Sequence, residues 1–212
     1  MKLAEGLYRI DGVRGANAYL VGTDNGLLVV DTGFSGNADR IVAAVHGIGC
    51  EPGDVRTIVL THSDPDHIGS LARLKGLTGA KVAIHADDAA ALAGRGRGKR
   101  PKGLLGVVFR AIAPFVRIPP VDADIVLHDG DSVAGFTVMH TPGHTAGSIT
   151  LSRDGIVFSG DALLSDSKGQ ARPPVKMLCA DYEQALASAE TIRALGYRIL
   201  LPGHGEPVLA ER

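Results

Sequence analysis

The chain has few of the residues that build disulfide-stapled, membrane-spanning or nucleic-acid-binding proteins. Its 212 residues include two cysteines, no tryptophan and only 4% aromatic residues. Two cysteines are too few for a disulfide scaffold. Scarce aromatics and a net charge of −1 argue against a surface for nucleic acid. No apolar run has the length that a bilayer-spanning helix needs. We therefore predict no nucleic-acid partner and no integral membrane segment.

The residues that are abundant are typical of a globular protein. Hydrophobic residues make up 45% of the chain and charged residues 21%, and a chain of this length can bury a sizeable core. The first residues, Met1–Glu5, include an acid and lack an apolar stretch. We therefore expect no signal peptide and a cytoplasmic location. We predict a single domain over residues 1–212.

Apolar runs separated by turn residues predict two strand-rich halves, each with helices. The predicted strands are Tyr8–Ile10, Ala16–Val21, Leu27–Val30, Thr57–Leu60, Lys81–His85, Ile125–Leu127, Thr137–His140, Ser148–Leu151, Ile156–Phe158 and Ile199–Leu201. The predicted helices are Ala38–Val45, a segment from Ile68 that stops at Gly76, Asp87–Ala93 with Asp87 as its cap, and Asp181–Leu195 between Asp181 as cap and Gly196 as stop. Two such halves are typical of two packed sheets with helices outside.

The segment Gly94–Pro120 differs from the rest of the chain, because it holds seven basic residues and no acidic one. Its middle, Leu104–Phe115, has a helical period but is apolar on nearly every face, so another surface must cover it. Our first interpretation is an insertion that forms a mobile lid, with an apolar face that contacts substrate or a second subunit in a homodimer. There are two alternatives. The segment could form a covered structural helix with solvated basic flanks, or it could attach the protein to anionic lipid.

The densest group of metal-binding residue types lies on the turn after the predicted strand Thr57–Leu60. It comprises His62, Asp64, Asp66 and His67. Imidazole and carboxylate are donors for zinc, iron or manganese, and a strand-to-helix turn can direct several of them at one point. The alternative is helix capping by either acid, with a proline in the first helical turn. That alternative does not account for two histidines and two acids at this spacing.

Three more candidate donors each follow an apolar run and lie next to glycine, namely His144, Asp161 and His204. Glycine allows a sharp turn and a close approach of the backbone to a ligand. Taken singly, each has a common structural interpretation. A histidine beside glycine is more often a surface residue, and an aspartate there often caps a turn or helix.

Taken together and in order, these residues resemble the metallo-β-lactamase superfamily. That family carries HxHxDH after a strand, a histidine in a TPGHT-like loop, an aspartate in a GD step and a histidine in a GH loop. This chain matches with His62, Asp66 and His67, then with His144, Asp161 and His204 in the same order, and Val30–Gly33 is similar to the family's VDTG. The resemblance covers nearly the whole chain. It implies a four-layer αββα sandwich of the α+β class with a metal site at one edge.

The resemblance also implies two divalent metal ions, with zinc favoured and iron or manganese as alternatives. His62 and His144 would bind the first ion, and the second would be bound by Asp66, His67 and His204. The same resemblance gives Asp161 the bridging position between the two ions. It places Asp31 near the metals, where it would orient a ligand.

This chain departs from the family pattern at Asp64, where the usual motif has histidine. A carboxylate there is similar to the HxExDH of the family's flavodiiron branch, and oxygen donors favour harder metals. We predict that Asp64 is a ligand. The four remaining histidines are expected to have no role in the site, namely His46, His85, His128 and His140.

The function implied is that of a hydrolase in which a metal-bound hydroxide attacks an ester, thioester or lactone, as in the glyoxalase II and lactonase branches. Asp66 is predicted to be both a ligand and a proton acceptor. The substrate would be a small molecule, and no motif indicates which residues bind it. One alternative is iron-dependent redox chemistry on sulfur or oxygen, with His62, His144 and Asp161 on one iron. The other is a binding module without catalysis.

Overall fold

A computed structural model describes residues 1–96 and 118–210, and secondary structure is taken from those ranges. The strands are β1 Lys2–Ala4, β2 Leu7–Arg9, β3 Tyr19–Thr23, β4 Gly26–Val30, β5 Val55–Val59, β6 Lys81–His85, β7 Ile125–Leu127, β8 Ser132–Val133, β9 Phe136–His140, β10 Ile149–Arg153, β11 Ile156–Gly160, β12 Leu164–Ser165, β13 Ala171–Arg172, β14 Ile199–Pro202 and β15 Val208–Leu209. The α-helices are α1 Ala38–Gly47, α2 Pro65–Ile68, α3 Leu71–Thr78, α4 Ala86–Leu92 and α5 Tyr182–Ala194. Short 3-10 turns cover Pro52–Asp54 and Lys176–Leu178.

The strands form two mixed sheets and one short pair. The first sheet follows chain order from β1 to β7, and its strands from β4 to β7 are parallel. The second has the order β15-β14-β11-β10-β9-β8, with β11 and β14 as its parallel pair. The pair β12–β13 stands apart from both. Parallel neighbours end at the same edge of a sheet, so each sheet has an edge where several loops meet.

Alternating side chains bury both faces of each sheet. On β4, Leu28 and Val30 point into the core between the sheets, whereas Leu27 and Val29 pack under the helices. Phe158 lies in the core between the sheets, where its ring packs edge-on against Tyr19 and Phe136.

Helices cover the outer faces of the two sheets. Ile41 of α1 and Leu74 of α3 are buried in the core of the first sheet. On the other side, Ile192 of α5 packs with Val157 and Leu200 of the second sheet. The predicted four-layer αββα sandwich is therefore confirmed.

Several predicted helix boundaries were wrong. The segment predicted from Ile68 is two helices, because Ile68 ends α2 and α3 begins at Leu71. Helix α3 does not stop at Gly76 but continues to Thr78, and Gly79 ends it with a left-handed φ of 70°. A glycine inside a helix costs only about 1 kcal/mol, and the burial of Leu74 and Thr78 on the same helix offsets this cost. Helix α4 begins one residue before the predicted start, because the ring of His85, not Asp87, caps it.

Most of the predicted insertion Gly94–Pro120, including the apolar stretch Leu104–Phe115, lies outside the described residues. The residues on either side of it lie close together, because the backbone N–H of Val121 donates to the carbonyl of Leu92 at 3.1 Å. Within the ranges that the structure describes, no helix is both long enough and apolar enough to cross a bilayer.

Candidate metal centre

The predicted donors lie where strands of both sheets end. In the first sheet, Asp31 directly follows β4, and His62 comes three residues after β5. In the second sheet, His144 lies in the loop between β9 and β10, while Asp161 and His204 follow β11 and β14. The two edges face each other, so residues far apart in the sequence meet in one cluster. The structure thus brings together all seven predicted ligands.

One half of the cluster consists of His62, Asp64 and His144, whose donor atoms lie within 4.8 Å of one another. The carboxylate Oδ2 of Asp64 is 3.0 Å from Nε2 of His144 and 3.5 Å from Nε2 of His62. Asp64 occupies the residue before helix α2 but makes no capping hydrogen bond with its side chain. Its carboxylate therefore faces the cluster, as a ligand requires, and does not cap the helix.

The other half consists of Asp66, His67 and His204, which also lie within 4.8 Å of one another. Oδ2 of Asp66 is 3.1 Å from Nε2 of His204. Asp66 and His67 are both on the first turn of α2, which begins with Pro65. Proline suits this position because its ring fixes a helical φ. The backbone N–H that it lacks would have no partner within the helix in a first turn.

Asp161 lies between the two halves. Its Oδ2 is 3.4 Å from Nε2 of His144 in one half and 3.5 Å from Nε2 of His204 in the other, and its Oδ1 is 3.4 Å from Nε2 of His67. Because Oδ2 lies near an imidazole of each half, Asp161 occupies the position of a bridging ligand. This is the position that the sequence order implied.

The donor set fits divalent cations. In the described part of the chain, Nε2 of His62, Nε2 of His67 and Oδ1 of Asp161 are buried without a hydrogen-bond partner. Buried polar atoms nearly always have a hydrogen-bond partner, so three buried atoms that lack one and lie in the same cluster need an explanation. A cation shared by imidazole nitrogens and carboxylate oxygens supplies one, because both are ordinary ligands of zinc, iron and manganese.

Asp31 supports the cluster from behind. Its carboxylate accepts hydrogen bonds from the backbone N–H and the hydroxyl of Thr61, at 2.9 and 2.7 Å, and lies 2.8 Å from Nδ1 of His67. An imidazole that donates through Nδ1 keeps Nε2 available for a metal. Asp31 has a φ of 59°, which is uncommon for a residue other than glycine, so its backbone is held in a strained conformation at this point.

The carboxylates and imidazoles shift each other's protonation. Burial opposes the ionisation of Asp161, but the neighbouring charges of His67, His144 and His62 outweigh it and hold its pKa well below the usual range. Burial likewise opposes the protonation of His67, but Asp31 and Asp161 raise its pKa well above the usual value. Such opposed shifts in one cluster are typical of functional sites.

Two glycines allow close packing of the loops that carry His204 and His144. A Cβ atom on Gly203 would lie 2.3 Å from Oδ1 of Asp161 and 2.7 Å from Cε1 of His67. A Cβ atom on Gly143, whose φ is 122°, would lie 2.2 Å from the backbone nitrogen of Ala185 in α5. Glycine at these positions allows the loops of His204 and His144 to close around the site.

A model of the metallo-β-lactamase superfamily matches residues 11–204. The chain belongs to the metallo-β-lactamase superfamily. Among relatives, it is 33% identical to the acyl-coenzyme A thioesterase MBLAC2 of Bos taurus, over 93% of this chain and 75% of that protein. It is 32% identical to the hydroxyacylglutathione hydrolase of Pseudomonas putida, over 74% of this chain and 53% of that protein.

The chain spans 60% of the length of beta-lactamase-like protein 2 homolog from Drosophila melanogaster, to which it is 28% identical over 92% of its own residues. Among solved structures, it is similar to TTHA1623 in a di-iron-bound form. The TM-score is 0.71 and the identity 26%, covering 95% of this chain and 93% of that one.

This metallo-β-lactamase-fold chain also groups three of the histidines for which no role was predicted. The rings of His85 and His140 stack with their centroids 4.1 Å apart, and the ring of His128 lies 6.2 Å from that of His85. Nε2 of His140 lies 2.8 Å from the carbonyl of Ala146, in the loop that carries His144. A nitrogen of each stacked ring also lies within 4.8 Å of a carboxylate oxygen of Asp87. Asp87 is 55% exposed and Nε2 of His140 already contacts the carbonyl of Ala146, so we interpret this group as support for the loop. His46 is half exposed on α1.

Sequence reasoning missed one buried acid, Asp88, which accepts hydrogen bonds from the backbone N–H groups of Ser63 and Gly147, in the loops that carry His62 and His144. In the sequence it follows Asp87 at the start of a short helix, where acids commonly interact with the helix dipole. No local pattern distinguishes it from Asp87, which is more than half exposed.

Proposed function

We propose that this chain is a metal-dependent hydrolase of an ester, thioester or lactone. The observation that carries the proposal is a pair of three-donor groups with Asp161 between them. The cluster is exposed to solvent on one side. The side chains of His62 and His67 are fully buried, whereas those of Asp66 and His204 are 25% and 38% exposed. Catalytic metal sites keep a position open to substrate, whereas structural sites are closed.

In this proposal, His62, Asp64 and His144 would hold one divalent cation, and Asp66, His67 and His204 would hold a second. Asp161, which lies between the two groups, would be a ligand of both. When bound, such cations polarise a substrate carbonyl and lower the pKa of water toward neutrality.

The chain's own residues orient the donors and accept a proton. Asp31 accepts from Nδ1 of His67, which leaves Nε2 directed at Asp161. The carboxylate of Asp66 lies on the open side of the cluster, where it can hold a cation with one oxygen and accept a proton with the other. Buried Thr61 donates to Asp31 and thereby keeps that carboxylate turned toward the histidine.

A thioester is the substrate class that the relatives favour. One relative is named an acyl-coenzyme A thioesterase and another a hydroxyacylglutathione hydrolase, and both names describe an acyl group carried on a thiol compound. Phe34 gives this choice some support from the structure, because its exposed ring follows the Asp31–Gly33 turn near the backbone of Asp66. An apolar ring there suits an acyl chain better than a charged group.

Zinc is the metal that we propose first, and iron is the alternative. Asp64 adds an oxygen donor where the family's usual motif has nitrogen, which favours a harder ion. TTHA1623 was solved in a di-iron-bound form. If this chain holds iron and consumes oxygen, redox chemistry on sulfur or oxygen becomes the better assignment.

The test combines metal analysis with a substrate panel. The protein is purified without chelator, its metals are measured, and hydrolysis of acyl-coenzyme A, S-acylglutathione, aryl ester and lactone substrates is followed. We expect about two zinc ions per chain and turnover of at least one thioester. His62→Ala should abolish turnover, whereas His46→Ala, which changes an exposed histidine on α1, should leave it unchanged.

Three results would contradict the proposal. Iron with oxygen consumption would favour the redox alternative. The absence of turnover across the panel in fully metal-loaded protein would favour a binding module without catalysis. Unchanged turnover in His62→Ala would show that the cluster is not the active site.

The cytoplasmic location and the homodimer stay predictions.

A further inference from the structure

Asp88 is a buried carboxylate in the first turn of helix α4, and only 4% of its surface is exposed. Its Oδ2 accepts hydrogen bonds from the backbone N–H of Ser63 at 2.7 Å and from the hydroxyl of Thr145 at 2.9 Å. Its Oδ1 accepts from the backbone N–H of Gly147 at 3.0 Å. Three donors around one carboxylate offset the cost of burying its charge.

These three donors belong to two segments that are far apart in the sequence. Ser63 lies between His62 and Asp64, and Thr145 directly follows His144. Asp88 therefore connects the backbones that carry all three donors of one half of the metal centre. It touches none of the donor atoms itself, so its effect must pass through the position of the two segments.

Gly147 shows how closely the loop and the helix must approach. A Cβ atom on Gly147 would lie 2.6 Å from the backbone nitrogen of Asp88 and 2.8 Å from its Cβ and Cγ atoms. Only a residue without a side chain allows the N–H of position 147 to reach this carboxylate. The acid on the helix and the glycine in the loop therefore form one matched contact.

The other half of the centre is held differently. The His204 loop is tied by Asn17, whose side-chain amide donates to the carbonyls of Pro202 and Gly205 at 3.0 and 2.9 Å. Asp66 and His67 are fixed by the first turn of α2. Loss of the Asp88 contacts should therefore loosen one half of the centre and leave the other in place.

We propose that Asp88 is a positioning residue that ties the Ser63 segment to the His144 loop and so assembles the half of the centre formed by His62, Asp64 and His144. This inference rests on the proposed function, because it takes those three residues as ligands. The carboxylate holds the two segments together through its three hydrogen bonds and does not itself contact a cation. Residues that orient ligands in this way commonly change metal affinity by roughly 10–100-fold.

The test compares Asp88→Ala and Asp88→Asn with Asp87→Ala and Asp87→Asn. Asp87 is the adjacent acid on the same helix, and its side chain is 55% exposed. Each full-length protein is stripped of metal and titrated with Co²⁺, which is followed by absorbance. Histidine-ring NMR then shows which imidazoles respond to each ion. Thermal unfolding of the metal-free proteins reports whether each variant is folded.

We expect wild-type protein and both Asp87 variants to bind two Co²⁺ ions. Asp88→Ala should bind one with wild-type affinity and the other at least about tenfold more weakly. The weakened ion should be the one that perturbs His62 and His144, whereas the response of His67 and His204 is preserved. Asp88→Asn keeps one acceptor oxygen for a backbone N–H and should weaken the same ion by a smaller factor.

Selective weakening distinguishes positioning from a general loss of structure, which would affect both ions equally. Wild-type affinity for both ions in Asp88→Ala would overturn the inference, as would equal weakening of both. If Asp88→Ala does not fold, Thr145→Val decides, because it removes one of the three contacts and should weaken the same ion. A wild-type protein that binds no Co²⁺ would instead refute the proposed metal-dependent function.

Discussion

Asp64 is the residue at which the sequence resemblance predicts a departure from the usual motif histidine, and its carboxylate oxygen lies within 3.5 Å of both imidazoles in its half of the cluster. A shorter side chain with a negative charge changes two properties of that half. It adds an oxygen donor, which favours harder cations, and it lowers the net charge of the occupied site. Asp64 is therefore the residue at which metal preference is best examined.

We expect Asp64→Ala to lose the ion that we propose for His62 and His144. The loss should exceed the roughly 10–100-fold fall in affinity that is typical of a residue behind the ligands. Asp64→His should restore two ions and favour zinc over manganese, because it replaces oxygen with nitrogen. Metal analysis after dialysis against mixed Zn²⁺ and Mn²⁺ measures the number of ions bound and the ratio of zinc to manganese. Asp24→Ala, in an exposed turn, is the control. Unchanged stoichiometry in Asp64→Ala would remove this residue from the ligand set.

Helix α3 shows how an element can continue through a residue that usually ends one. Gly76 lies inside the helix with open space where a Cβ would be, whereas Gly79 ends it in the left-handed region. The two glycines are three residues apart and differ in backbone conformation, not in surroundings.

We expect Gly76→Ala to increase the free energy of unfolding by about 0.5–1 kcal/mol, because alanine loses less backbone entropy in a helix. Gly79→Ala should decrease it by roughly 1–2 kcal/mol, since a side chain disfavours the left-handed conformation. Urea denaturation of both variants measures the two values. Changes of the same sign would mean that α3 does not end at Thr78.

Most elements could be predicted from the sequence where local chemistry determines them. Strand β6 has the predicted bounds Lys81–His85. Helix α5 is capped by the side chain of Asp181, as predicted, and Gly196 follows with a positive φ. The start of β3 was placed three residues too early. Ala16 and Ala18 extend the apolar run, but the backbone at Asn17 leaves the sheet and donates to the carbonyl of Gly203 in the His204 loop.

The metal centre joins the two sheets of the molecule. His62 and His67 belong to the first sheet's edge, whereas His144, Asp161 and His204 belong to the second. Its assembly depends on sheet pairing and on contacts between residues up to 138 positions apart, from Asp66 to His204. No local pattern encodes such contacts. Only the resemblance in motif order indicated that these residues meet. Asp88 was missed because neither periodicity nor that resemblance distinguishes it from its neighbour.

Metal removal should therefore destabilise the whole fold. A cation at 100 times its dissociation constant stabilises the native state by about 2.7 kcal/mol. For a chain of this size, that corresponds to a fall in Tm of roughly 5–11 °C on chelation. Differential scanning calorimetry with Zn²⁺ and then with excess chelator measures the change. Asp87 is not among the seven proposed ligands, so Asp87→Ala should show the same fall in Tm on chelation as wild type. A Tm that does not depend on chelator would argue against cations between the sheets.

The unequal exposure of the two halves sets an order of exchange. The side chain of His204 is 38% exposed and that of Asp66 25%, whereas in the other half His62 is fully buried and His144 nearly so. If both halves hold a cation, the one on the more exposed His204 side should therefore exchange faster than the one beside His62 and His144. Brief exposure to a second cation should therefore give a hybrid protein with different metals in its two halves, the newer one beside His204.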